Sequence, residues 1–218
     1  MLKRLRPEIQ ERLLAEAGSS HMAGDGIAYP HWYLHRWHFL PEGYLSRRSV
    51  AAYDVAIRRL YYQLQERRVL ERLASHLQGA ANVLELACGP GRALALLRRR
   101  LPSAKLTGVD LSPFMLERAA ARVPFDVELV HASSASLPWE PGRFDTVVAL
   151  HHLGHQPLRA AAKALREAER VLAPGGRLAL VEHSWHRLPD SRLEPLHEER
   201  LAAGLMRLTV WAKPQRPA

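Results

Sequence analysis

The chain has a single cysteine, Cys88, among 218 residues, so an internal disulfide framework is excluded and a reducing, cytoplasmic setting is expected. No apolar run is long enough to span a bilayer, and the start lacks the charged, apolar and small segments of an export signal. No membrane partner is therefore expected. Acid is scarce beside base: 22 Asp and Glu face 31 Lys and Arg, a net charge of +9. That balance allows a nucleic-acid partner. The arginines, however, fall in short groups (Arg47-Arg48, Arg67-Arg68, Arg98 to Arg100) and suit solvated helix faces better than one binding tract. Internal repeats and low-complexity tracts are missing too. A chain of this length with 47% hydrophobic residues can bury one sizeable core.

What is present begins with Val83-Leu84-Glu85-Leu86-Ala87-Cys88-Gly89-Pro90-Gly91-Arg92. A short apolar strand with an acid near its end runs into a glycine turn and then a Leu/Ala/Arg helix. Gly89 and Gly91 let backbone approach a ligand, and the helix N-terminus adds a positive dipole end. A dinucleotide turn would need a third glycine three residues on, where Leu94 stands. Leu106-Thr107-Gly108-Val109-Asp110 reads as a second strand ending in an acid. Its distance from the turn is that of a ribose-binding carboxylate, which can accept from both sugar hydroxyls. Ser112 and Pro113 then supply an N-cap and first helical residue. Two further segments follow. Val130-His131-Ala132-Ser133-Ser134-Ala135-Ser136-Leu137-Pro138-Trp139 is the third. The fourth is Phe144-Asp145-Thr146-Val147-Val148-Ala149-Leu150-His151-His152-Leu153, a buried strand ending in a histidine pair. A helix over about 157–172, a turn at 173–176 and a strand over 177–182 complete the series.

These four segments, in this order across residues 83–183, resemble class I S-adenosylmethionine-dependent methyltransferases of the small-molecule type. The resemblance implies an α/β fold: a Rossmann-like, doubly wound, mostly parallel sheet of six or seven strands. It implies S-adenosylmethionine as co-substrate, contacted by Glu85, Ala87, Cys88, Gly89, Gly91, Asp110, Leu111, Ser133, Ser134 and Leu150. Ala87 replaces the first glycine of the family's motif. Ser133 stands where the family often has the aspartate that holds the adenine edge, while the Ser134 N–H can still make its contact. Methyl transfer is an in-line displacement in which positioning supplies much of the rate. If the acceptor must lose a proton, the candidate bases are His152, His151, His183 and His186, with His152 first.

The N-terminal part, 1–78, is expected to be a helical and aromatic lid over a methyltransferase domain at 79–218. Leu2, Leu5, Ile9, Leu13 and Leu14 make one face of a short basic helix. Residues 29–39 mix aromatics with His31, His35 and His38. Without a carboxylate or cysteine beside them these histidines predict lid packing, and no metal site is expected. Val50, Tyr53, Ile57, Leu60, Leu64, Leu70, Leu73 and Leu77 predict helix over 46–78, broken near 63–68 and stopped by Gly79. Residues 191–204 look helical, leaving 206–212 as the one clear strand after the fifth. Three functions stand open. A small-molecule methyltransferase leads, because the chain lacks the Asn/Asp-Pro-Pro-Tyr/Phe element used to grip a flipped base. An RNA or protein methyltransferase is the second, and a non-catalytic S-adenosylmethionine-binding protein the third. The sequence leaves the oligomeric state open.

Overall fold

Residues 4–35, 40–56 and 65–215 are described by the structure, a computed structural model. The apolar runs form β1 (Asn82–Leu86), β2 (Lys105–Asp110), β3 (Glu128–His131), β4 (Phe144–Leu150) and β5 (Leu172–His183), and two later strands follow, β6 (Glu194–Leu201) and β7 (Met206–Ala212). They join in one sheet of order β3-β2-β1-β4-β5-β7-β6. The first five strands run parallel, β7 is antiparallel to β5, and β6 is antiparallel to β7. This is the expected Rossmann-like sheet, with seven strands. Parallel strands covered on both faces must be apolar throughout, and Val83, Leu84, Val147, Val148, Leu178, Ala179 and Val181 are accordingly buried.

Three helices fix the turns that follow the strands. Helix α4 (Arg92–Arg100) starts from Gly91 and ends in Arg98 to Arg100, whose charges suit its C-terminus. Helix α5 (Pro113–Ala120) is capped by the Ser112 hydroxyl, which accepts from the Met115 N–H, as the Ser-Pro pair predicts. Helix α6 (Leu158–Val171) buries Ala161, Ala164, Leu165, Ala168 and Val171 on one face. The Ala-Pro-Gly-Gly stretch at 173–176 lies within β5 as an irregularity, and the ladder with β4 resumes at Arg177.

The N-terminal part differs from the periodic pattern in places. Helix α1 (Pro7–Gly18) begins after Leu5, which is buried from the segment before it; Leu2 lies outside the described residues. Helices α2 (Arg47–Ala56) and α3 (Glu66–Ser75) account for part of the predicted 46–78 pattern. Ile57, Leu60 and Leu64 fall outside the described residues, as do Trp37, His38 and Phe39 of the aromatic segment. Helix α3 stops four residues before Gly79, and Leu77 is buried from the turn between them. Leu5, Leu13, Ala17, Tyr33, Leu45 and Val50 form a cluster with Phe114 and Met115 of α5. The extension thus packs on the sheet domain through α5. No helix among the described residues is long and apolar enough to cross a membrane.

The region 191–204 is not helical. Glu, His, Arg and Leu suggest helix by propensity, but β7 leaves a row of unpaired backbone groups that β6 satisfies in register from Glu194↔Ala212 to Leu201↔Met206. Ala202, Ala203 and Gly204 turn the hairpin with positive φ. Pro195 sits where the register shifts, a position an edge strand tolerates.

Candidate active site

The strand order reverses direction between β1 and β4, which creates a crevice beyond their C-terminal ends. A cavity of about 1590 Å³ opens there, above the usual range for one small ligand and roomy enough for two. Its walls are the segments that leave the strand ends. Glu85, Ala87, Cys88 and Gly89 come from β1 and its turn, and Asp110 and Leu111 from the end of β2. Ser133 and Ser134 follow β3, Leu150 ends β4 with His151 and His152 just after it, and His183 closes β5. All the residues expected in the site line this cavity except Gly91. Gly91 instead faces α5: at φ +73° a Cβ would stand 3.0 Å from that of Ala119.

Backbone strain marks the glycine turn. Ala87 holds φ 49° and Gly89 φ 51°, a left-handed conformation that costs an L-residue about 1–2 kcal/mol. A Cβ on Gly89 would meet no atom closer than 4.0 Å, so that side of the turn is an open cradle. Ala87→Gly should therefore raise stability by roughly 0.5–1 kcal/mol, after the extra freedom of glycine in the unfolded chain is set against the relieved strain. Thermal denaturation reads this directly; a lower midpoint for the glycine variant would contradict it. Behind the turn, Gly108 lets β2 come close, since a Cβ there would lie 2.5 Å from Leu94 Cδ1 and 2.9 Å from Cys88 Sγ. Cys88 is buried and its thiol is pushed well up, first by burial and then by the charge of Asp110. It is a packing residue of the turn, not a nucleophile.

Asp110 binds the turn from below. Its Oδ2 accepts from the Gly89 N–H at 2.8 Å and its Oδ1 from the Ser112 N–H at 2.8 Å. Burial pushes its carboxyl up to about 6, with the Ser112, Gly89 and Leu111 N–H groups pulling the other way. Glu85 lies deeper. Its Oε2 is buried with no hydrogen-bond partner, and burial followed by the Asp110 charge pushes it up to about 8, the Leu94 N–H partly offsetting. A buried carboxylate oxygen without a donor calls for one, and a cationic group would hold it ionised.

The raised value makes a pH effect measurable. Between its ordinary 4.5 and about 8, Glu85 binds its proton more tightly in the folded than in the unfolded chain, so stability falls as pH rises. Asp110 has the same sign between 3.8 and about 6. His151 and His152, pushed down to about 4 by burial against the pull of Glu182, have the opposite sign below 6.5. From about pH 6.5 to 8 the Glu85 contribution remains, and the ligand-free protein should lose up to about 1.4 kcal/mol per pH unit. Glu85→Gln should flatten this slope. Urea denaturation at pH 6.5 and 8 tests it, and equal stability of the unaltered protein at both values would refute it.

The other walls were less visible in sequence. Tyr29, Tyr33, Tyr44 and Tyr53 line the side over Asp110, with successive ring centroids 6.3, 5.9 and 5.8 Å apart. Burial pushes every one of these phenols up, so they stay neutral donors. All four fall within the 1–78 segment expected as a lid; Tyr29 and Tyr33 stand in its aromatic stretch, Tyr53 is marked only by helical spacing, and Tyr44 carries no local signal. The loop before them docks on β3 through His131, whose Nδ1 accepts from the Gly24 N–H at 2.8 Å and whose Nε2 is 3.2 Å from the Tyr29 hydroxyl. The Ser133 hydroxyl accepts from the Ala135 N–H at 3.2 Å. His152 Nε2 lies 2.8 Å from Ser134 Oγ and 2.9 Å from Gln156 Nε2. At the far end, His183 stacks on Trp185 with centroids 4.5 Å apart and sits 4.9 Å from the His151 ring.

The sequence profile of a methyltransferase domain matches residues 83–176. That segment is similar to methyltransferase domains. Its span runs from β1 to the irregular start of β5, and so carries the glycine turn, Asp110 and the histidine pair. The chain is 38% identical over 126 residues to a trans-aconitate 2-methyltransferase of Paracidovorax citrulli, covering 56% of this chain and 44% of that protein. It is also 38% identical over 103 residues to a demethylmenaquinone methyltransferase of Thermus thermophilus, 46% of each. The chain thus spans about half the length of the curated relatives it matches. Among solved structures, a 1,6-didemethyltoxoflavin N1-methyltransferase of Burkholderia thailandensis superposes with a TM-score of 0.61 at 21% identity, over 88% of this chain and 94% of that one. The Bradyrhizobium japonicum N-methyltransferase NodS, in complex with S-adenosyl-L-homocysteine, gives 0.56 at 20% identity, over 68% and 85%. These two likenesses show the shared methyltransferase fold.

Proposed function

We propose that this protein transfers the methyl group of S-adenosylmethionine to a small-molecule acceptor. The observation that carries the reading is the carboxylate pair at the glycine turn: Asp110 beneath Gly89, and Glu85 with a buried oxygen lacking a donor. S-adenosylmethionine presents a ribose diol and an ammonium, the two donors such a pair would take, and an electrophilic methyl on a sulfonium. Asp110 would accept from the ribose hydroxyls, and Glu85 would face the ammonium. Leu111 would pack on the adenine, with Ser133 offering a weaker edge contact than an aspartate because its hydroxyl already serves Ala135. Cys88 and Leu150 would wall the cofactor, and Gly91 would act through the shape of the turn.

The rest of the cavity would hold the acceptor. His151 and His183 would face it and take its proton where one must leave, while His152 would brace Ser134. Residues 1–78 would close the cavity as a lid over the domain at 79–218, its tyrosines excluding water from the transfer. Relatives named for trans-aconitate and demethylmenaquinone favour a small acceptor over RNA or protein, and the lone buried cysteine suits a cytoplasmic enzyme.

The test is release of S-adenosylhomocysteine from S-adenosylmethionine with a panel of small carboxylic acids, phenols, quinols and amines. Turnover with one of them supports the reading. Turnover only with RNA or protein, falling steeply with salt, would overturn it in favour of a macromolecular acceptor. Tight cofactor binding with no turnover on any class would leave a binding protein.

A further inference from the structure

The acceptor end of the cavity brings His186 together with His155 and Glu182, a constellation the sequence spacing did not reveal. We propose that His155, Glu182 and His186 bind one divalent transition-metal ion. One nitrogen or oxygen from each lies within 4.8 Å of the others, and His186 Nδ1 is 3.4 Å from Glu182 Oε2. Ligands held about 2.0–2.2 Å from one ion stand roughly 3–3.5 Å apart, so small side-chain movements would close the set. Two imidazoles and one carboxylate suit first-row ions such as zinc, iron or cobalt.

The three side chains are placed by one network. Glu182 is fully buried at the end of β5, and its Oε1 accepts from the His152 and Leu153 N–H groups at 2.8 and 2.7 Å. These bonds fix the carboxylate, leave Oε2 toward His186, and pin the short helical turn Leu153–His155 that carries His155. Ligating carboxylates are oriented by hydrogen bonds of this kind. Gly154 leaves the room that the His186 ring occupies, for a Cβ there would collide with its Nδ1. Arg207 holds the His186 carbonyl at 3.1 Å. The His155 and His186 rings, 4.9 Å apart, both line the cavity, with Glu182 behind them.

An ion held there would keep coordination positions open to the cavity, where an acceptor bearing oxygen donors would complete its shell. This use of the ion rests on the methyl-transfer reading; the binding of the ion does not. A second cluster, His76, His197 and Glu199, has similar spacing. There, however, the Arg72 guanidinium already donates to Glu199 at 2.6 Å, and none of the three lines the cavity.

Chelator-treated full-length protein is titrated with cobalt(II) and followed by its visible absorption, with zinc added to displace it. One ion per chain is expected. His155→Ala and His186→Ala should each weaken binding by about 100-fold or more, since even residues that only orient ligands are worth 10–100-fold. His197→Ala should leave it unchanged. Circular dichroism confirms that the variants are folded, and the two histidine changes at the cavity wall avoid the risk of altering buried Glu182. Absence of cobalt binding, affinity unchanged from the unaltered protein in either cavity variant, or loss in His197→Ala would overturn the proposal. Calorimetry with S-adenosylhomocysteine on the same samples separates the two readings. S-adenosylhomocysteine binding without cobalt binding removes the metal site alone, and cobalt binding without it removes the methyl-transfer reading alone.

Discussion

Phe114→Ala should lower the stability of the protein by about 3–5 kcal/mol, the usual cost of removing a buried phenyl ring. Phe114 is 1% exposed at the start of α5, inside the cluster that includes Leu5, Leu13, Tyr33, Leu45 and Val50 from the N-terminal part. The Arg47 guanidinium lies over its ring at 4.7 Å. One side chain therefore joins the extension to the helix that follows the Asp110 loop, and its loss should loosen both. Chemical denaturation measures the difference. A loss under about 1 kcal/mol would mean that the extension is not packed on the sheet domain as described.

Asp110→Ala should weaken S-adenosylhomocysteine binding by about ten- to a hundredfold, through loss of charge-assisted bonds worth about 1–3 kcal/mol. The effect has two sources. The carboxylate would accept from the ligand, and it already fixes the Gly89 and Ser112 N–H groups that shape the turn. Asp110→Asn, which keeps the size and loses the charge, should fall between the two. Affinity of the unaltered protein should also drop as pH falls below about 6, where Asp110 takes up its proton. Calorimetric titration checks all three, and an alanine variant with unchanged affinity would remove Asp110 from the site.

The half of the fold that was legible in sequence is the half whose residues have little choice. An apolar stretch interrupted only by Glu85 and running into Gly-Pro-Gly reads as a buried strand and tight turn, and Ser112-Pro113 caps a helix on local chemistry alone. Residues 194–201 show the opposite case. Their helical propensity is overridden by the open edge of β7, a partner that no local pattern announces. The cavity follows the same division. Gly89 and Asp110 were readable because their spacing is set along one strand-turn-helix unit. Tyr44, Tyr53 and the His155, Glu182 and His186 group come together from separate elements. Gly91 was readable as a turn residue, but its task of meeting Ala119 needed the position of α5.

The most direct test of the account is the crystal structure of the protein with S-adenosylhomocysteine. One molecule is expected in the crevice beyond β1 and β4, with its ribose hydroxyls on the Asp110 carboxylate and its amino group within hydrogen-bond distance of Glu85. A ligand bound elsewhere, or one in the cavity whose ribose makes no contact with Asp110, would contradict it.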